Sequence, residues 1–293
     1  MIIVKLRGGL GNQMFQYAYG KALSIKTGIT VKFDANYYFN EEFQRSDTPR
    51  KYLLDKFNTD ISLATQEEVN KANPLWKKVI RKMKNKIFRY TNIYKFSESE
   101  FKIKEGNLAL GYWQTEKYFK NIESIIRENF TLKNSLAESA QKIENLIIQT
   151  KKENKVPVSI HVRRSDYVNI KSNKDFFNVC DVEYYKNAFS EITKLINSPV
   201  SLFIFSDDTA WVKENLRFPC ETYFVSEEKN IFDYEEIILM SKCSHNIIAN
   251  SSFSWWGAWL NPNKNKIIMA PKKWVNDSKI DTSDVTPVEW VTI

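Results

Sequence analysis

Between residues 155 and 271, apolar runs of strand length alternate with segments of helical period. VPVSIHV (156–162) is followed by a helical pattern over 182–196, and SLFIFSDD (201–208) by a short one near 210–216. TYFVS (222–226), helical FDYEEIILMSKC (232–243), HNIIANSS (245–252), helical FSWWGAWL (253–260) and KIIMAP (266–271) complete the series. Short apolar runs without polar alternation suit strands covered on both faces. Alternation with helices predicts a doubly wound parallel sheet. The first residues repeat the theme. Ile2, Val4 and Leu6 alternate, Gly8, Gly9 and Gly11 interrupt, and Phe15, Ala18, Tyr19 and Ala22 recur at helical spacing. Gly28 falls where that helix should stop, and Ile29, Val31 and Phe33 alternate again, which predicts a βαβ unit. The expected organisation is therefore two α/β domains, 1–150 with a helical insertion and 151–293, the tail free to pack back on the first.

Ligands of open α/β sheets bind beyond the carboxyl ends of the strands. Three predicted strands end in polar clusters, HVRRSD, FSDD and ANSSFS. Parallel neighbours would bring the three together at one edge. Arg163 and Arg164 are consecutive, so an extended chain points them to opposite faces: one can hold a ligand, the other the protein. A guanidinium fork suits phosphate oxygens, and equally an ion pair with Asp166 or another carboxylate. Ser251 and Ser252 precede an apolar helix, where they either cradle an anion or cap the helix. Asp207 and Asp208 suit ribose hydroxyls or a base edge, and also suit capping. Trp255, Trp256 and Trp259 read as core before they read as a sugar platform. In GGLGN the glycines allow close backbone approach, and Asn12 and Gln13 follow at a helix start.

Composition narrows the classes. A hydrophobic fraction of 43% supports a full core, and no apolar run reaches the length of a membrane span. The chain opens MIIVKL with no leader pattern, so a cytoplasmic protein is expected. Three cysteines make an odd number and fit a reducing compartment. Two distant histidines draw no zinc pattern. Asp181 and Glu183 imitate a metal-holding carboxylate pair but lead into a helix, so no metal is expected and Asp181 is read as a cap. Net charge is +8, densest in KKVIRKMKNKIFRY (77–90). There the apolar side of a helix over 76–89 either joins the core or lies on the anionic inner face of the cytoplasmic membrane.

Taken together, RGGLGNQMFQYA, IHVRRSDY, FSDD and NSSFSWWGAWL resemble the bacterial α-1,2-fucosyltransferases. GYWQTEKYF (111–119) and DYEEIILMSKCSHNIIAN (233–250) are similar to the family as well, so the resemblance spans about Arg7 to Pro271. It implies a GT-B-type glycosyltransferase with two Rossmann-like domains facing a cleft. The donor would be GDP-β-L-fucose and the acceptor the 2-hydroxyl of a terminal β-galactoside, in surface polysaccharide synthesis. Transfer would invert the anomeric centre without a metal or other cofactor. The resemblance implies that Arg163 holds the donor diphosphate, His161 lies near guanine, Ser251 and Ser252 face phosphate, Asn12 lies near the transferred sugar, and Asp233 reads guanine. It extends the donor site to Arg164, Asp207, Asn250, Phe253, Gly9 and Gly11, and gives the acceptor Gln13, Trp113 and Gln114. Asp166 is the nearest candidate by sequence for the general base, unless it braces an arginine. Rival readings are a glycosyltransferase with another donor or linkage, a basic nucleic-acid-binding protein and an inert sugar-binding module. Positive charge spread along the chain, with no nucleic-acid module, disfavours the second.

Overall fold

The computed structural model describes residues 1–40, 49–74, 93–164 and 175–293, which divide into two compact units. The first is Met1–Lys133 with Ser278–Pro287; the second is Asn134–Asp277 with Val288–Ile293. The basic segment 76–89 and Asp166 lie outside the described residues.

In the first unit, β1 (Ile2–Lys5), β2 (Val31–Asp34) and β3 (Leu108–Ala109) form a parallel sheet in the order β2-β1-β3. The helix Leu10–Thr27 connects β1 to β2, the βαβ unit the sequence predicts. It ends at Gly28, whose φ of 69° lets its N–H return to the Ser24 carbonyl. Gly20 faces Phe33 so closely that a Cβ there would lie 2.7 Å from two ring carbons, so helix and strand meet at a distance that excludes a side chain. The helix Gln66–Ala72 starts from a capping box between Thr65 and Glu68 and lays Val69 and Ala72 on Ile3 and Leu108. Ser278–Pro287 is tied to this unit by carboxylates. Asp284 accepts the N–H of Phe96 at 2.9 Å and pairs with Lys117 at 2.6 Å, and Asp281 pairs with Lys95.

The second unit is built on six parallel strands: β4 (Val156–Val162), β5 (Val200–Ser206), β6 (Glu221–Phe224), β7 (His245–Ile247), β8 (Ile268–Ala270) and β9 (Val291–Thr292). Their order is β6-β5-β4-β7-β8-β9, the Rossmann arrangement in which strand order reverses between β4 and β7. Val158, Ile160 and Val162 face the helix Val182–Ile196, through Tyr185, Ala188 and Ile192. The alternate residues of β4 face the other way, where Ser159 meets Asn246 and His161 meets Phe253. On that side the helices Asp233–Lys242 and Ser252–Trp259 pack so tightly that a Cβ on Gly257 would lie 2.8 Å from Met240 Cβ. Trp255 and Trp256 are fully buried, so they are core and not an exposed platform.

The division after Lys133 differs from the expected boundary at 150. The helix Glu138–Lys152 buries Ala140, Ile143 and Ile147, and its N-terminal neighbour Ala137 donates its N–H to Glu235 of the second unit. A break at 130–137, not a composition shift, separates the units.

Candidate active site

β4 and β5 run in register to their ends, with Val162 opposite Ser206. The two arginines after β4 therefore come level with the two aspartates after β5. Arg163 Nε lies 3.2 Å from Asp207 Oδ2. Arg164 gives its backbone N–H to Asp207 Oδ1 at 2.8 Å, and its guanidinium lies 3.7 Å above Trp211 and 3.4 Å from Asp208. Asp208 also caps the helix Thr209–Asn215 through the N–H of Trp211. Arg164 is thus fastened to protein by an aromatic face, a carboxylate and its own backbone. Both oxygens of Asp207 serve the arginine pair, a different task from the ribose or base contact expected of it.

His161, one residue inside the strand end, is 4% exposed with its ring 5.4 Å from that of Phe253. Burial, reinforced by the nearby Arg163 charge, pushes its pKa down to about 3, so the ring is neutral at physiological pH. Its Nδ1 is buried with no hydrogen-bond partner among the described residues.

Beyond β7, Ser251 caps the helix Ser252–Trp259, its hydroxyl accepting the N–H of Phe253 at 3.3 Å. Ser252 opens the helix, whose first N–H groups have no intrahelical acceptor. Asn250 gives its side-chain amide to the carbonyls of Phe177 and Trp274, at 2.8 and 2.9 Å. It clamps the loops after the strand, where the resemblance puts it against the donor. Asp181 caps Val182–Ile196 through Tyr184, as expected.

The acidic run at the start of Asp233–Lys242 holds a residue that sequence reasoning passed over. Asp233 itself is exposed. Glu235 is buried and spent on the N–H groups of Ala137 and Phe232. Glu236 accepts the hydroxyl of Ser226 at 2.6 Å, and that hydroxyl accepts the N–H of Ser206 at the end of β5. Its second oxygen has no hydrogen bond among the described residues. Burial raises its pKa to about 7; Asp233 and Asp207 push the same way, while the Ser226 bond and Arg163 oppose them. No spacing signals this, because the partner that fixes Glu236 is Ser226, outside the helix.

In the first unit the loop after β1 carries the other predicted residues. Gly8, which the predicted site omits, has φ of 87°, and a Cβ there would lie 2.6 Å from Asn12 Nδ2. Gly9 has an extended conformation with open space at its Cβ position, and Gly11 is buried in the helix. Asn12 is partly exposed and accepts a 2.6 Å hydrogen bond from Gln114. Gln13 is fully buried and bridges the Lys51 carbonyl and the Leu53 N–H, so it fastens residues 51–53 to the loop. Trp113 is 3% exposed, stacks on Tyr19 at 3.9 Å and donates its indole N–H to Glu100. Gln13 and Trp113 thus have structural tasks in place of the acceptor contact expected of them.

Among the described residues no three His, Cys, Asp or Glu side chains stand together as a metal cluster, and no helix is long and apolar enough to cross a membrane.

Comparison with known proteins agrees with this architecture. The chain is 32% identical to an α-1,2-colitosyltransferase of Escherichia coli over 304 aligned positions, covering 100% of this chain and 99% of that protein. It is 29% identical to the O-antigen biosynthesis glycosyltransferase WbnK of the same organism, covering 98% and 99%. It is 26% identical to human galactoside α-(1,2)-fucosyltransferase 1, over 49% of this chain and 40% of that one. Among solved structures, the fucosyltransferase NodZ from Bradyrhizobium matches at TM-score 0.51 and 15% identity, covering 87% of this chain and 92% of that one. Arabidopsis thaliana FUT1 matches at TM-score 0.51 and 10% identity, covering 93% and 71%. These likenesses establish the fold, two α/β units of the GT-B type. The model for glycosyl transferase family 11 matches residues 1–293, and the chain is a glycosyltransferase belonging to that family.

Proposed function

We propose that the chain transfers L-fucose from GDP-β-L-fucose to the 2-hydroxyl of a terminal β-galactoside, with inversion and without a metal ion, in synthesis of an O-antigen-like surface polysaccharide. The carrying observation is the placement of Arg163. Its guanidinium stands past the end of β4, beside the point where strand order reverses, anchored by Asp207. Cleavage of the sugar–phosphate bond leaves charge on the departing diphosphate while the sugar carbon becomes oxocarbenium-like. An anchored guanidinium stabilises that charge as it develops, and the helix start at Ser252 adds to the same field. The full-length relatives support an α-1,2 linkage and an O-antigen product.

The nucleoside end of the donor is assigned to His161 and Glu236. The neutral imidazole of His161 packs beside Phe253 at that end. The spare oxygen of Glu236 suits the paired N–H donors of guanine, which favours it over Asp233. Asn12 is assigned to the transferred sugar. Asp207 and Asp208 pair with the two arginines. Asp166 is assigned the proton of the attacking hydroxyl as the nearest carboxylate by sequence. The same reading makes the protein cytoplasmic, with residues 76–89 on an anionic membrane. Unchanged vesicle association after replacement of Lys77, Lys78, Arg81 and Lys82 would remove that part.

A second donor is favoured by one observation, the full-length likeness to a colitosyltransferase. Colitose is fucose without its 3-hydroxyl, so the two donors differ by one oxygen. Turnover of GDP-fucose, GDP-colitose and UDP-sugars against a panel of galactosides, with and without EDTA and with linkage read by NMR, tests the whole reading. Failure of both 6-deoxy donors, or loss of activity in EDTA, would overturn it.

A further inference from the structure

The bond between Gln114 and Asn12 joins residues 102 positions apart, and several features of the first unit converge on it. Trp113, the residue before Gln114, has φ of 46°, a left-handed conformation disfavoured for a bulky side chain. Stacking on Tyr19 and the indole bond to Glu100 hold it there. Gly111 leaves room for that indole, since a Cβ on it would lie 2.9 Å from the ring. The backbone turn at Trp113 leads directly into Gln114, which is itself buried and hydrogen-bonds Asn12 Oδ1 at 2.6 Å. On the other side, Asn12 Nδ2 lies over Gly8, in space that only a glycine leaves clear. That nitrogen has no partner among the described residues, and Asn12 is partly exposed.

A primary amide has an acceptor end and a donor end of nearly the same size, so packing alone does not choose between them. A hydrogen bond to one end does. We propose that Gln114 is a positioning residue that fixes the rotation of the Asn12 amide, turning its carbonyl inward and presenting its NH2 to an oxygen of the substrate. This rests on the reading that Asn12 contacts the transferred sugar. It replaces direct acceptor contact as the task of Gln114, and it explains why a left-handed tryptophan precedes it.

The test uses the full-length protein with the sugar donor and galactoside acceptor that it turns over. Asn12→Ala should lower kcat about a hundredfold, with GDP affinity unchanged. Gln114→Glu presents acceptors only, so it should draw the Asn12 NH2 towards itself and lower kcat at least about tenfold. Gln114→Ala, which frees the amide to turn, should fall between the wild type and Gln114→Glu. The double variant Asn12→Ala/Gln114→Glu should be no worse than Asn12→Ala, because Gln114 acts through Asn12. In wild-type protein, NMR should show the Gln114 side-chain N–H bonded to the Asn12 carbonyl, a readout that stands even if a variant fails to fold. Normal turnover in Gln114→Glu beside a crippled Asn12→Ala overturns the proposal and leaves the contact role of Asn12 intact. Normal turnover in Asn12→Ala overturns both. An NMR bond running from the Asn12 NH2 to the Gln114 carbonyl overturns the proposal by itself.

Discussion

Arg163 Nε and Asp207 Oδ2 stand 3.2 Å apart, while the other oxygen of Asp207 holds the backbone N–H of Arg164. One carboxylate thus fixes the path of the chain and the direction of the guanidinium. Replacing Arg163 by Lys keeps the charge and loses the fork. Turnover should fall by about 3 kcal/mol of transition-state stabilisation, roughly a hundredfold, with the melting temperature little changed. Asp207→Asn should lose about tenfold through misplacement of Arg163. A folded Arg163→Lys protein with near-normal kcat would remove Arg163 from the mechanism.

How much of this was legible depended on how local the signal is. Strands β4, β5, β7 and β8 are buried on both faces, so each reads as an apolar run whatever its neighbours. Gly28 and Asp181 end or begin helices by contacts within a few residues, and both were readable. β3 and β9 are two residues long and exist only through partners in β1 and β8, so periodicity had nothing to find. The site divides in the same way. Arg163, His161 and Ser251 sit at strand ends and helix starts, which the sequence marks. The tasks of Asn250, Gln13, Trp113 and Glu236 are set by Trp274, Lys51, Tyr19 and Ser226 across the chain, and no spacing rule reaches that far.

His161 gives a pH signature. Its folded-state pKa is pushed down to about 3 from an ordinary 6.5. Between those values the unfolded chain binds a proton that the folded one refuses. Stability should therefore fall on acidification below pH 6.5, by up to about 1.4 kcal/mol per pH unit from this group. His161→Gln should flatten that dependence in denaturant titrations from pH 7 to pH 4. An unchanged slope would mean that the imidazole takes up its proton freely in the fold.

Gly20 tests the packing of the first unit. A Cβ would lie 2.7 Å from two carbons of the Phe33 ring, which is fixed between helix and sheet. Gly20→Ala should cost about 1–3 kcal/mol despite the better helix propensity of alanine. A variant as stable as the wild type would show that the ring can move aside.

Asp284 fastens Ser278–Pro287 with both oxygens, one on the N–H of Phe96 and one on Lys117. Asp284→Ala leaves that N–H unpaired and should cost about 1–3 kcal/mol. Hydrogen exchange should rise at 93–97 and 278–287 before it rises in β4 or β5. Uniform exchange across the chain would show that the clamp does not hold this segment locally.

Glu236 should act in the opposite sense to His161. Its pKa is raised to about 7 from 4.5, chiefly by burial, with Asp233 and Asp207 adding to the effect. Between those values the folded protein holds a proton that the unfolded chain has released. Stability from this group is therefore full below pH 4.5, falls as pH rises, and has been lost above pH 7. Glu236→Gln keeps an acceptor for the Ser226 hydroxyl and cannot ionise. It should be more stable than the wild type by about 3 kcal/mol at pH 8 and show almost no gain at pH 3.5. Because the His161 and Glu236 effects overlap and oppose each other between pH 4.5 and 6.5, each must be read as a difference from the wild type at matched pH. The same variant should bind GDP about tenfold more weakly with no loss for ADP, because only guanine offers paired donors to the spare oxygen. Equal losses for the two nucleotides would place Glu236 away from the base and leave it the task of holding Ser226 against the end of β5.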